Sequence, residues 1–144
     1  LFNNRGASFL IDPKHPNCVA PGKRPMHTII PGMMRKDNRS IMAFGVMGGH
    51  YQPVGHAHFA TNLLDFEMDV QEALDAPRTF AFGNQLQVER GVSRDVVEGL
   101  QKLGHETIEA ETALGGGQAI WIDWETGVLT GGSDPRKDGC ALGY

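Results

Sequence analysis

Cysteine is scarce in this 144-residue chain: Cys18 and Cys140 stand 122 positions apart (140 − 18). Two cysteines make no disulfide framework, and no recognised metal spacing includes them. Long apolar runs are missing too, and none approaches the ~20 residues of a membrane-crossing helix. Basic residues come no thicker than pairs such as Lys23-Arg24, and the net charge is −4, which argues against a nucleic-acid footprint. There is no Walker loop, and Gly115-Gly116-Gly117 is too short to be read as a nucleotide site. No Ser-His-Asp arrangement can be assembled from the spacing. Internal repeats and linkers are absent, so residues 1–144 read as one unit. Its 40% hydrophobic content makes it a globular chain.

Leu1-Phe2-Asn3-Asn4 reads as a strand passing into a turn. Residues 10–27 hold Pro13, Pro16, Pro21 and Pro25 and predict a long irregular loop. Thr28–Ile30 with Gly32–Met34 suggests a strand, Asp37-Asn38-Arg39 a turn, and Ser40–Met47 a strand buried on both faces. After Gly48-Gly49 a helix is expected, with Pro53 in its first turn. Phe59, Leu63 and Phe66 form its apolar face, widened by Ala57, Ala60 and Leu64. A short helix starts at Asp69, where Glu72 completes a capping box, and Pro77 limits it. Thr79–Phe82 and Gln85–Glu89 predict two strands about Gly83-Asn84. Ser93 caps a third helix with Val96, Leu100 and Leu103 on one face and Gly104 just past its end. A short strand at 105–108 and a hairpin of 118–124 with 128–130 complete the chain. The class is α+β, helices packed on sheets, without a regular βαβ alternation.

Gly48-Gly49 is the first candidate site. A strand hands over to a helix there, and backbone N–H groups at a helix start have no helical partner. Without side chains they can approach a ligand oxygen, as in an oxyanion hole. A tight turn or close helix–sheet packing would use the same two glycines. His50, His56 and His58 lack a completing carboxylate or cysteine, and positions 56 and 58 do not share a helix face. No metal site is assigned. His27 and Thr28 close the stretch PGKRPMHT and could donate to a carboxylate, or simply belong to a solvated loop. Asp134 or Arg136 could serve a site, but Asp134-Pro135-Arg136 reads rather as structural, its carboxylate capping a turn or pairing with an arginine.

Seven stretches in order resemble one family: NN at 3–4, HPNCVAPGKRP at 15–25, GVMGG at 45–49, LLDFEMDVQEALDAPR at 63–78, VERG at 88–91, GH at 104–105 and GGSDPRKDGCALGY at 131–144. Together they are similar to the C-terminal part of the γ-glutamyltranspeptidase family, in its γ-glutamyltransferase-like branch. The resemblance implies an N-terminal-nucleophile hydrolase fold, an αββα four-layer sandwich. It also implies a precursor that cleaves itself and exposes a threonine, which attacks a γ-glutamyl amide and forms an acyl-enzyme. On that basis Gly48 and Gly49 form the oxyanion hole, and Asn3, Arg5, Ser8, His27 and Thr28 bind substrate. The implied partners are a large subunit from the same precursor and a small-molecule amide such as glutathione. A homodimer of the processed pair is an arrangement the resemblance allows, and no cofactor is implied.

Two departures from the family pattern shape the expectation. The threonine is expected upstream of Leu1, so the 144 residues alone are expected to be inactive. After the paired asparagines the transpeptidases carry a glutamine and, three residues on, an aspartate, which hold the substrate ammonium. Here those positions are Arg5 and Ser8, a cation and a neutral hydroxyl, which hold an ammonium poorly. His27 and Thr28 stand where the family has two serines, and both remain donors toward an acyl carboxylate. A cephalosporin- or glutaryl-type acylase is therefore the alternative within the fold. A non-catalytic fragment or interaction subunit is the alternative outside it.

Overall fold

The computed structural model describes residues 3–144, so the first half of the strand-to-turn passage expected at 1–4 lies outside the described residues. Four strands, β1 (Gly32–Lys36), β2 (Arg39–Met47), β6 (Gly116–Ile122) and β7 (Leu129–Ser133), form one antiparallel sheet in the order β1-β2-β6-β7. Helices α1 (Gln52–Leu64) and α2 (Val70–Asp75) pack against it. A second sheet, β3 (Thr79–Phe82), β4 (Gln85–Val88) and β5 (Thr107–Glu109), is ordered β3-β4-β5. Helix α3 (Arg94–Lys102) connects β4 to β5, which pair in parallel. This is one βαβ unit inside a fold that is otherwise hairpins and packed helices.

Alternation along β2 decides where the core sits. Met42 and Val46 are buried and Phe44 is half-buried, all on the helix side. Met42 packs with Ala119, Phe59, Val70, Ala73 and Leu74. A Cβ on Gly117 would lie 2.6 Å from Leu74 Cδ2, and one on Gly132 would lie 2.7 Å from Val70 Cγ1. Small residues at those two positions let α2 lie directly on β6 and β7. The opposite face of the sheet, expected to be buried as well, is open. It carries Met33, Met47, Ile120 and Leu129, each about half exposed or more.

Residues 10–27 are irregular as expected, with turns and one bridge between Leu10 and Cys18. The Cys18 and Cys140 thiols are free. Asp37 and Asn38 take positive φ in the β1–β2 turn, as Gly83 and Asn84 do in the β3–β4 turn. Both are hairpin-turn conformations that suit those residues. Three expectations are corrected. Thr28–Ile30 stays outside the sheet, and β1 begins at Gly32, after Pro31. Helix α1 ends at Leu64 and the chain turns through Glu67 at φ +54°, so Phe66 swings out and is 66% exposed; Leu64 and Ala57 are exposed too. Instead Gly55, Phe59 and Asn62 make the buried face. Finally, α3 buries no residue, and Val96 and Leu103 face outward.

The capping box at α2 is complete. Asp69 accepts from the Glu72 N–H at 2.8 Å, and the Glu72 carboxylate accepts from the Asp69 N–H at 3.0 Å. Asp69→Ala is expected to cost about 1 kcal/mol in denaturant unfolding, the usual value of a lost N-cap.

Candidate active site

Strand β2 ends at Met47, paired with Gly116, and the chain turns at once. Gly48 adopts φ 143°, ψ 26°, and Gly49 φ 59°. The Tyr51 N–H donates to the Gly48 carbonyl at 3.1 Å, closing a 3-10 turn over Gly49–Tyr51 that runs straight into α1. A Cβ on Gly48 would sit 2.9 Å from Gly115 Cα, so both the dihedral and the packing require glycine there. Both glycines are exposed, and among the described residues nothing accepts from either N–H. Two open donors at the positive end of a 13-residue helix favour an anionic oxygen.

The surroundings of the turn are fixed by α1. Gln52 Nε2 donates to the Thr28 carbonyl at 2.8 Å and to the Gly49 carbonyl at 3.2 Å. One turn later, His56 Nε2 accepts from the Val46 N–H at 2.9 Å. That bond requires an unprotonated Nε2, and burial holds the His56 pKa below the ordinary histidine value. Burial likewise lowers His58, helped by the positive charges of Arg78 and Arg136. His50 stacks on Phe82, ring centroids 5.7 Å apart. A groove of about 360 Å³ runs between Ile29–Pro31 and the end of β2, lined also by Gln52, Gly116 and Gln118.

Of the residues singled out in the sequence, Thr28 is joined to Gly49 through Gln52, and His27 lies beside it, exposed. Asn3, Arg5 and Ser8 form a separate 3-10 turn. Asn3 Oδ1 accepts from the Arg5 N–H at 3.1 Å, Ser8 Oγ donates to the Arg5 carbonyl at 2.8 Å, and Asn17 of the long loop donates to the Ser8 carbonyl at 2.6 Å. Among the described residues no hydrogen bond joins this turn to Thr28 or to Gly48-Gly49.

Behind the turn lies a charged network. Asp134 is fully buried and Arg78 is 3% exposed, and they meet at 2.7 Å. Asp134 also accepts from the Gly117 and Arg136 N–H groups at 2.8 and 3.0 Å. Arg136 forks onto Glu89 through Nε at 2.9 Å and Nη2 at 2.7 Å. Glu89 in turn accepts from the backbone of Arg78 and Leu114, both at 3.0 Å. The structural reading of Asp134-Pro135-Arg136 therefore holds. Spacing does not announce Arg78 and Glu89 as their partners, although these stand in the family-like stretches 63–78 and 88–91.

This network sets a pH response. Burial pushes Glu89 and Asp134 upward, but both finish below the ordinary carboxylate value. The Arg136 side chain and the Leu114 N–H outweigh burial at Glu89; the Arg136 and Gly117 N–H groups with the Arg78 charge do so at Asp134. A depressed folded-state pKa gives stability that is present above the unfolded value and lost as pH falls through the folded one. Midpoints of denaturant unfolding are expected to hold from neutrality to about pH 5 and to drop steeply below about pH 4.

A family model described as gamma-glutamyltranspeptidase matches residues 1–144. The chain belongs to the gamma-glutamyltranspeptidase family. Within that family it is 35% identical, over 99% of its length, to the glutathione hydrolase-like YwrD proenzyme of Bacillus subtilis strain 168, of which it covers 29%. It is 33% identical, over its whole length, to the oxamate amidohydrolase proenzyme of Klebsiella pneumoniae, again covering 29%. Among solved structures, cephalosporin acylase from Bacillus halodurans superposes with a TM-score of 0.84 at 48% identity, covering 92% of this chain and 25% of that one. The chain spans less than a third of the length of these relatives. Its fold is the mixed helix-and-sheet arrangement of the N-terminal-nucleophile gamma-glutamyltranspeptidases and acylases, as the family resemblance implies.

Proposed function

We propose that this chain supplies the oxyanion hole and part of the acyl pocket of an autoprocessed amidohydrolase or acyltransferase. The observation that carries the reading is the exposed Gly48-Gly49 turn, with two N–H groups at a helix start that find no partner among the described residues. The nucleophile is a threonine upstream of this sequence, freed when the precursor cleaves itself. Its hydroxyl attacks the carbonyl of a γ-glutamyl or related acyl amide while its own α-amine takes the proton. The carbonyl oxygen becomes an oxyanion between the Gly48 and Gly49 N–H groups. Collapse expels the amine and leaves an acyl-enzyme, which water or an amino acid then resolves. His27 and Thr28 stand to hold the carboxylate at the far end of the acyl group. The large subunit of the same precursor completes the site, and the open apolar face of the sheet provides surface for packing against the rest of the protein.

A second reading concerns the acyl group. The turn Asn3–Ser8 holds no acidic side chain, its cation Arg5 is half-buried, and the Ser8 hydroxyl is spent on the Arg5 carbonyl. Such a turn favours an acyl group with a carboxylate and no ammonium, such as glutaryl. One relative is named for such a substrate, the oxamate amidohydrolase, and a solved neighbour is named an acylase.

The test is expression of the full-length precursor. Intact mass and N-terminal sequencing are expected to show two chains, the smaller beginning with threonine and containing this sequence. Purified enzyme is expected to release p-nitroaniline from glutaryl-p-nitroanilide at least as fast as from γ-glutamyl-p-nitroanilide. An unprocessed chain that hydrolyses neither would overturn the amidohydrolase reading. A strong preference for the γ-glutamyl compound would overturn the second reading alone.

A further inference from the structure

Two adjacent glycines cannot hold their own geometry, yet an oxyanion hole must be rigid before the charge develops. The geometry points to Gln52 as the positioning residue that locks the Gly48-Gly49 turn to the Thr28 segment, with His56 anchoring the strand end before it. The inference rests on the proposed function for its catalytic consequence.

Gln52 and His56 are four residues apart, so they share one face of α1. That face looks back at the chain segment entering the turn. One amide group of Gln52 donates to two carbonyls from segments more than twenty residues apart, Thr28 at 2.8 Å and Gly49 at 3.2 Å. His56 Nε2 takes the Val46 N–H at 2.9 Å, two residues before Gly48. Three backbone groups around the turn are thereby tied to one rigid helix. The carbonyl of Gly49 is turned to Gln52, while the Gly48 and Gly49 N–H groups find no partner among the described residues. Gln52 also lines the groove beside Met47, so it stands at the wall of the site and not in the core. A side chain without an N–H donor could not replace it. A carboxylate would face two carbonyl oxygens with no proton to offer, and an aliphatic chain would free the Thr28 carbonyl and leave the Gly49 carbonyl with the Gln52 backbone N–H alone.

The bond to Thr28 gives the clamp a second consequence. Thr28 belongs to the pocket segment proposed to hold the acyl carboxylate. Fixing that segment and the oxyanion turn to one amide sets the distance between the two ends of the acyl group. Gln52 thus acts on acyl-chain selection as well as on rate.

The experiment uses the full-length processed enzyme with Gln52→Met, which keeps the volume and removes the donor, and Gln52→Glu, which keeps the shape and removes the donor. Hydrogen–deuterium exchange is expected to rise at least several-fold in peptides spanning 26–30 and 45–51 together, with the α2 and β6 peptides unchanged. The acylation rate is expected to fall about tenfold or more, since misplacement of a reacting group by 1 Å costs up to about 10²-fold. The preference for glutaryl- over butyryl-p-nitroanilide is expected to fall with it, because only the first reaches the Thr28 segment. A Gln52→His variant, which keeps a donor, is expected to recover part of both losses. Unchanged exchange in either peptide would overturn the clamp, whatever the activity. Equal loss on both anilides would overturn its role in selection. A wild-type enzyme inactive on all amides would overturn the proposed function and leave exchange to decide the clamp.

Discussion

Asp134→Ala is expected to be among the most damaging single changes in this chain, with a loss of about 3–5 kcal/mol. The size follows from what is left behind. Arg78 is 3% exposed and meets Asp134 at 2.7 Å. Its other bonds run to the carbonyls of Leu114 and Leu74, which satisfy donors but carry no full negative charge. Removing the carboxylate strands a buried guanidinium and frees the Gly117 and Arg136 N–H groups at once. Breaking one side of a buried ion pair costs far more than the intact pair contributes. Asp134→Asn keeps some of those bonds and is expected to lose less. The exposed pair Arg94–Glu98 is the contrast: Glu98→Ala is expected to leave stability nearly unchanged, because a solvated i,i+4 pair contributes little. Midpoints of denaturant unfolding on the full-length protein measure all three. An Asp134→Ala loss no larger than that of Glu98→Ala would show that Arg78 had found another counter-charge.

The second large effect follows from the proposed function. In the full-length enzyme Gly48→Ala is expected to lower kcat by about 10²–10³-fold, the usual result of losing one oxyanion donor. The added methyl meets Gly115 Cα at 2.9 Å and a φ of 143° excludes it, so the turn must reshape and carry its N–H groups away. Backbone strain by itself would also destabilise the protein, and Gly83→Ala separates the two. Gly83 has φ 61° in the β3–β4 turn, with open space where its Cβ would go. It is expected to cost some stability and to leave kcat within a factor of two. Gels showing complete processing, followed by steady-state kinetics on glutaryl-p-nitroanilide, read the comparison. A Gly48→Ala enzyme with kcat close to wild type would remove the turn from the chemistry.

What was legible in the sequence obeyed local rules. The capping box at Asp69, the hairpin turns at 37–38 and 83–84, and Gly104 at φ +95° past α3 all follow from residues a few positions apart. The 3.6-residue period puts Phe66 on the apolar face because it runs on past the true end of α1. The positive φ at Glu67 that breaks the period is a tertiary decision no spacing announces. The buried face of α3 was expected for the same reason. Its pattern is amphipathic, but no element within the described residues covers Val96 or Leu103.

The site divides the same way. Spacing alone left Gly48-Gly49 as either a packing turn or an anion nest, and family resemblance favoured the nest. Gln52 and His56 drew no notice as positioning residues because their partners are backbone groups of Thr28, Gly49 and Val46. A sequence shows which side chains exist, not which carbonyls come within their reach. Arg78 and Glu89 were invisible as partners of residues 56 and 47 positions away, since charge complementarity at that distance in sequence has countless solutions.

That separation has a bearing on synthesis. Arg78 and Glu89 leave the ribosome well before Asp134 and Arg136 exist to neutralise them. Until then the nascent chain carries a cation and an anion bound for the interior with only water to satisfy them. Burial of that region is unfavourable while it waits, so the strands and α2 have little reason to lock prematurely. The stretch that closes β7 against β6 then delivers both missing charges in one segment of three residues. Commitment to the native packing is thereby deferred until Asp134 and Arg136 have been made, when the elements they join are already present.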